Sequence, residues 1–589
     1  SGDAITTGSQ NVAIGNNALG ALTTTSGNIA VGYQALDAGV DGVQNCIGIG
    51  SAALGALTAS GGTTGTAPSI AIGYNCLAGA VSGTSNIAIG GWALDAVVTS
   101  ANNIAIGNNA LTTLTSGANN IAIGTNSGDA ISSSPGNTLV GNNAGSAINT
   151  GSGENVVIGN NAGALMTTGA QNIIIGDNAV AGAALTGNVN TVIGDNAGYA
   201  MTGASNGNTL IGAATGDAIT TGDNNTAVGA YALTTEDEAS AITAIGYNAG
   251  NLHNGGSANT MVGAYCGDAI TTATACTFIG DSCAGTANTG SGNTGIGHHA
   301  LSTLTTGSNN VAVGYEAGYG TGGTFNSSGN VFIGYRAGKA VTSGADSVMI
   351  GADAGTSITS GSNNQLIGIR CGDALTTGAN NVCMGSDAGG VIDSGGNNTI
   401  IGHNAGDNIT TGTYNICMGH SADPSAADSD FQIVIGTAIA GTENYQFSFG
   451  TTNSVVTNEF DTDAAWTRTS DRRKKRNIQE DKLGLDFIND LKTVTYQWRP
   501  ANEYPKEWNE YSEDSNVNTD VVMHGMIAQD IKQALDNAEC DTFAGWKERK
   551  DGSQVMSREM FVMPLIKAVQ ELSVEIEELK KWKEEHTCC

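Results

Sequence analysis

The sequence predicts a mostly β protein built by repetition: a parallel β-solenoid, β-roll or β-prism shaft, then a small α/β domain ending in a coiled-coil helix. Three observations carry this. A motif of the form Asn-Ile-Ala-Ile-Gly occurs 25 times at near-constant spacing. The 589 residues include 86 Gly and only 6 Pro, and 13% are charged, where a globular chain averages about 25%. Glycine and charge also change together near residue 470. Residues 1–469 carry 82 of the glycines and a net charge of −25, whereas residues 470–589 carry 4 glycines and a net of −6.

Composition excludes several classes. Disorder is unexpected, because Ile, Val and Thr are abundant and charge is sparse. Collagen lacks its Gly-X-Y period and its proline here. No apolar run approaches the roughly 18 to 20 residues of a membrane span, so no membrane insertion is expected. In the first part, 29 acidic residues face four basic ones (Arg336, Lys339, Arg370, Arg468). Such a surface repels phosphate backbones, which argues against nucleic acid as a partner. Ser1 enters in mid-pattern without an initiator Met or signal peptide, as a fragment or processed product would.

The shaft comes first, at residues 1–436. Closing glycines of the motif run from Gly15 and Gly32 to Gly419 and Gly436, and 18 of the 24 intervals are 17 residues, four being 18. A full unit reads Asn103-Ile-Ala-Ile-Gly-Asn-Asn-Ala-Leu-Thr-Thr-Leu-Thr-Ser-Gly-Ala-Asn119. It offers one short β-branched strand, a Gly turn, a small-residue stretch and a Thr/Ser/Gly turn. One unit buries too little apolar surface alone, so neighbours must stack. Intervals of 23 (Gly50 to Gly73) and 20 (Gly314 to Gly334) residues should bulge as loops near Thr58–Pro68 and Gly320–Ser328, candidates for receptor contact.

Three residues past the closing Gly, the slot is Ala in 18 copies, as at Ala18, Ala110 and Ala162, and Cys in four: Cys76, Cys266, Cys283 and Cys371. Ser127, Thr215 and Ile439 complete it. A slot restricted to small side chains marks close backbone approach, so these Cys read as small buried hydrophobes. Cys46, Cys383 and Cys417, inside the strand motif, read the same way. With no CxxC or HExxH anywhere, neither a zinc site nor a cofactor is expected. His298, His299, His403 and His420 follow closing glycines and should face solvent.

The repeats resemble the left-handed parallel β-roll heads of trimeric autotransporter adhesins and similar segments of phage and viral fibres, through the Asn-x-Ala-Ile-Gly-x-x-Ala core. Those heads usually repeat at shorter spacing; the longer unit here leaves an interleaved three-chain prism open. Gly-Asp-Ala/Asn recurs at Asp129, Asp217, Asp268, Asp373 and Asp407. Each reads as an Asp capping a turn amide. The alternative, in a trimer, is a carboxylate ring around a cation. A glycosidase pair of positioned carboxylates does not stand out among so many repeated Asp residues.

Residues 437–469 form terminal strands and a linker. The last domain, 470–589, opens on Ser470-Asp-Arg-Arg-Lys-Lys-Arg-Asn-Ile478. An amphipathic helix is predicted around Leu483–Leu491, a strand at Val494–Trp498, a polar loop through Asn518, a helix from Met526 to Leu535, and a final helix over about 558–586. There Leu565, Val569, Leu572, Ile576 and Leu579 step by 4, 3, 4 and 3. This heptad seam by itself leans to two strands.

This domain resembles the C-terminal intramolecular chaperone of phage tailspikes and fibres, also classed as peptidase family S74. The carriers are Ser470-Asp471, Lys475, Asn477-Ile478, Leu491-Lys-Thr-Val-Thr-Tyr496, His524-Gly-Met-Ile-Ala-Gln-Asp530 and Pro564-Leu-Ile-Lys-Ala-Val-Gln-Glu-Leu572. The resemblance implies a homotrimer that helps the fibre fold in register and then cuts itself. It places the nucleophile at Ser470 and the base at Lys475, with the cut at Ser470–Asp471 or, alternatively, Thr469–Ser470. A Ser hydroxyl needs such a base, and the neighbouring cations Arg472, Arg473, Lys474 and Arg476 would lower the Lys475 pKa. The bland alternative is a basic stretch that pairs with acidic groups of its own domain.

The expected function is therefore a homotrimeric viral or phage attachment fibre with a self-cleaving chaperone, located in the virion. Its partner would be a host cell-surface receptor, including a glycan. A glycan-degrading tailspike would need a catalytic domain outside the repeats. A bacterial surface adhesin, on the cell surface, would carry a membrane β-barrel anchor at its C-terminus.

Overall fold

The computed structural model describes residues 2–38, 43–57, 68–96, 98–151, 153–286, 288–321, 323–452, 454–459, 472–506, 508, 511, 513, 520–550 and 552–587. The chain divides into two units, Ser1–Arg468 and Thr469–Cys589.

In the first unit every repeat motif forms a short strand, from Val12–Ile14 to Ile416–Met418 and then Ile433–Thr437. Each pairs in parallel with the strand one repeat later, as in Ile104↔Ile121, Ala105↔Ala122 and Ile106↔Ile123. The ladder continues to Gln446–Thr451, and Ser454–Glu459 closes it antiparallel, giving one sheet of 27 strands among the described residues. Coils of one chain pair directly with each other, so the architecture is a parallel β-solenoid and not an interleaved prism. At about 4.8 Å per coil, the 25 coils span roughly 120 Å.

A strand three residues long has one inward and two outward side chains. The middle residue points in: Ala105, Ala122, Leu139 and Phe332 are fully buried. The small slot three after the closing Gly is also fully buried, as at Ala110, Ala162, Cys76 and Cys371. Its polar members are satisfied by the core itself. Ser127 Oγ donates to Leu139 O (3.3 Å), and Cys266 and Cys371 Sγ donate to Phe278 O and Cys383 O (3.2 and 3.1 Å). Burial pushes the Cys76 and Cys417 thiols up to about 12, so they stay protonated and inert.

The Asn that opens the motif has a physical role the pattern alone does not reveal. Asn103, Asn120, Asn137 and Asn155 are fully buried in a ladder. Asn120 N–H and Nδ2 both donate to Asn103 Oδ1 (3.0 and 3.2 Å), and Nδ2 also donates to Ser134 O (3.0 Å). Asn137 N–H in turn donates to Asn120 Oδ1 at 2.9 Å. The carboxamide thus satisfies the strand-entry amide of the next coil, where no water reaches. Asn120→Leu should cost about 1–3 kcal/mol, the penalty of unpaired buried groups. The check is faster amide exchange at Asn137, with coils far from it unchanged.

Of the two long intervals, residues 58–67 lie outside the described residues. In the other, Thr321, Gly323 and Thr324 are exposed, but Phe325 returns to the core, fully buried and 6.0 Å from the Phe332 ring. Thr305 N–H donates to Phe325 O and Phe325 N–H to Thr303 O, both at 3.0 Å. The protrusion is therefore shorter than the expected Gly320–Ser328, because its one large apolar side chain fills the solenoid.

The second unit combines helices with two short strand pairs. It comprises α1 (Leu485–Asp490), α2 (Ala528–Asn537) and α3 (Val562–His586). Strands Val494–Tyr496 and Met523–Gly525 pair antiparallel, as do Trp546–Glu548 and Gln554–Met556. The sequence predicted only the strand at Val494–Trp498, and neither pairing was expected from it. Leu483, Phe487, Ile531, Ala534, Leu535 and Phe561 form a small core.

Candidate functional site

Ser470 and Asp471, the expected nucleophile and cleavage position, lie outside the described residues. Beyond them, Arg472–Lys474 forms a 3-10 turn, and Lys475 N–H donates to Arg472 O at 3.1 Å. Lys475 is exposed. Asn477 has φ +53, a left-handed conformation that Asn tolerates better than most residues, which accounts for Asn at that point of the motif.

The other motif blocks meet in space. Leu491–Tyr496 and the start of His524–Asp530 form the two-stranded pairing, with Thr495 opposite His524. Met526 and Leu491 pack against the small core. The block at Pro564–Leu572 lies on α3, whose polar side holds the start of the domain. Leu485 N–H donates to Glu571 Oε2 (2.6 Å) at the entry to α1, and Lys567 pairs with Glu480. The Lys567 ammonium holds the Glu480 carboxyl below its usual range. A groove of about 730 Å³ is lined by Val494, His524, Met526, Arg558, Phe561 and Leu565.

The heptad residues Leu565, Val569, Leu572, Ile576 and Leu579 are all exposed, Leu579 by 70%. Within one chain this seam is uncovered, while Pro564 and Ala568 on the flanking face of the helix are buried.

On the shaft, burial raises the Asp129, Asp217, Asp268 and Asp373 carboxyls, partly opposed by the nearby backbone N–H groups. Oδ1 of Asp129, Asp217 and Asp268 is buried and meets no hydrogen-bond donor, so the expected cap of a turn amide is not made at that atom. Asp423 is pushed up to about 6 by burial and by Asp407, whose N–H donates to Asp423 Oδ1 at 3.0 Å. Among the described residues, no group of three His, Cys, Asp or Glu could hold a metal ion. His298, His403 and His420 are exposed; His299 is only half-buried, and burial lowers its pKa.

One polar pair escaped the sequence reading. Glu236 and His253 occupy adjacent coils at the core position filled elsewhere by Leu114, Ile131 or Met166, and both are fully buried. His253 Nδ1 pairs with Glu236 Oε2, Nε2 accepts from Asn259 Nδ2 (2.9 Å), and Glu236 Oε1 accepts from Ala239 N–H (2.6 Å). Their spacing of 17 residues, one coil, was the available signal.

Residues 470–538 match the family described as the chaperone of endosialidase. A parallel β-solenoid shaft followed by this domain fits a tail-fibre or tailspike protein with a C-terminal chaperone domain. No curated protein matches the chain.

Proposed function

We propose that the chain is the shaft of a viral or phage attachment fibre, assembled as a homotrimer by its C-terminal domain, which then removes itself by a Ser470/Lys475 dyad. The observation that supports this best is the junction of a 25-coil solenoid with a chaperone-of-endosialidase domain. Its physical logic is register. Near-identical repeats can slip by one unit at small cost, and long-range parallel pairing is slow and aggregation-prone. A domain that gathers the chains at one end addresses both. A virion location and a host cell-surface receptor, including a glycan, follow from this reading.

In the cleavage, the Ser470 hydroxyl attacks the scissile carbonyl as Lys475 takes its proton and passes it to the leaving amine; water then resolves the ester. For Thr469–Ser470 the hydroxyl reaches the preceding carbonyl within its own chain, as in an N-to-O acyl shift. For Ser470–Asp471 its own carbonyl would close a strained β-lactone, so the hydroxyl comes from a neighbouring copy.

Denaturing electrophoresis tests this. Wild type should give a band for residues 1–470 and a fragment of about 119 residues, whereas Ser470→Ala and Lys475→Ala should stay full length and still assemble. A wild type that never cleaves, or a Ser470→Ala variant that cleaves as fast, would remove the dyad.

A further inference from the structure

We propose that the outward face of the solenoid strands is the surface along which copies of this chain meet, a proposal that rests on the homotrimer reading. In every repeat strand the first and third residues point away from the core. Across all 25 strands they are Ile, Val, Met or Thr, with Gln365 the one exception, and none is charged. The shaft's carboxylates sit instead on the turns, as at Asp177, Asp195, Asp281 and Asp387. An acidic protein has thus kept one long face free of charge.

The extent of that face is unusual. Two side chains wide and one strand spacing per coil, it covers on the order of 1,000 Å². The largest apolar patch on a typical monomer is about 300–600 Å², and a stable interface needs roughly 800 Å² from each partner. In the single chain, Met384 and Met418 on this face are 45% and 39% exposed.

The period of the face selects the occupant. Ile, Val and Thr rungs recur once per coil over the whole shaft, and another copy of the chain presents the same rungs at the same spacing. Copies running parallel and in register then cover each other rung by rung.

The test is hydroxyl-radical footprinting of the purified wild-type protein by mass spectrometry, with sedimentation of the same sample. Met166 and Met201, fully buried inside each coil, mark full protection, and the urea-unfolded chain marks full reactivity. Met384 and Met418 should react at least about tenfold more slowly than in the unfolded chain, as in a water-excluding interface core. Reaction near the unfolded rate in a particle of three chains overturns the proposal and leaves the homotrimer standing. A particle of one chain removes the homotrimer reading, and this proposal with it.

Discussion

Gly246→Ala should open the solenoid at its middle. Gly246 has φ +140, and a Cβ there would lie 2.3 Å from the carbonyl oxygen of Gly263, the closing Gly of the next coil. The clash is with backbone on the stacking side, so no rotamer change relieves it. The coils must separate or tilt, which breaks the adjoining strand pairs Thr243↔Thr260 and Ile245↔Val262. Since repeat arrays owe their stability to neighbour interfaces, the loss should exceed about 4 kcal/mol, in the range reserved for severe core defects. Gly255→Ala is the control. Gly255 also has positive φ (+86) but nothing within 4 Å of its would-be Cβ. It should cost only the left-handed penalty of about 1–2 kcal/mol. Thermal melts and amide exchange around Ile245 and Val262 read the difference, and equal effects in the two variants would refute the contact explanation.

The second large effect is expected from removing residues 470–589 before folding. The shaft expressed alone should be insoluble or misassembled, while shaft freed of the domain after assembly should persist. A milder version is Ile576→Asp. Ile576 is exposed in the single chain, so Asp does not disturb the isolated fold. In an assembled seam, however, the carboxylate would be buried without a partner. Soluble yield and sedimentation of the full-length variant report the result. A truncated chain that reaches the same assembly at the same yield would show that the domain is dispensable.

Ile576 and Gly246 illustrate how differently the two units were legible. The heptad seam is a local property of one helix, so spacing alone placed it. The family motifs at Leu491–Tyr496 and His524–Asp530 were visible as blocks, but not that they pair as strands, because their separation along the chain carries no period. The same limit hid the Trp546–Glu548 and Gln554–Met556 pairing. Within the shaft the sequence repeat is the structural repeat, so the solenoid, its strand positions and the buried small slot at Ala110 or Cys371 could be read directly.

The roles of individual shaft residues needed the third dimension. Asn120 is visible in the sequence only as the first residue of a motif; stacking alone shows its carboxamide closing the hydrogen bonds of the coils on either side. Glu236 and His253 belong to no motif along the chain, yet the stack places them against each other in the core. In Ile-Ala-Ile the bulky residues suggest a buried face, but the strand alternates, and Ala105 goes inside while Ile104 and Ile106 flank it outside. The sequence by itself determined the period, the strands and the division near residue 470, because each is written in spacing and composition along the chain. Which side of each strand is inside was decided only by tertiary packing, since the outer positions are as apolar as the inner one and the inward point takes Ala105, Leu139 or Phe332 alike.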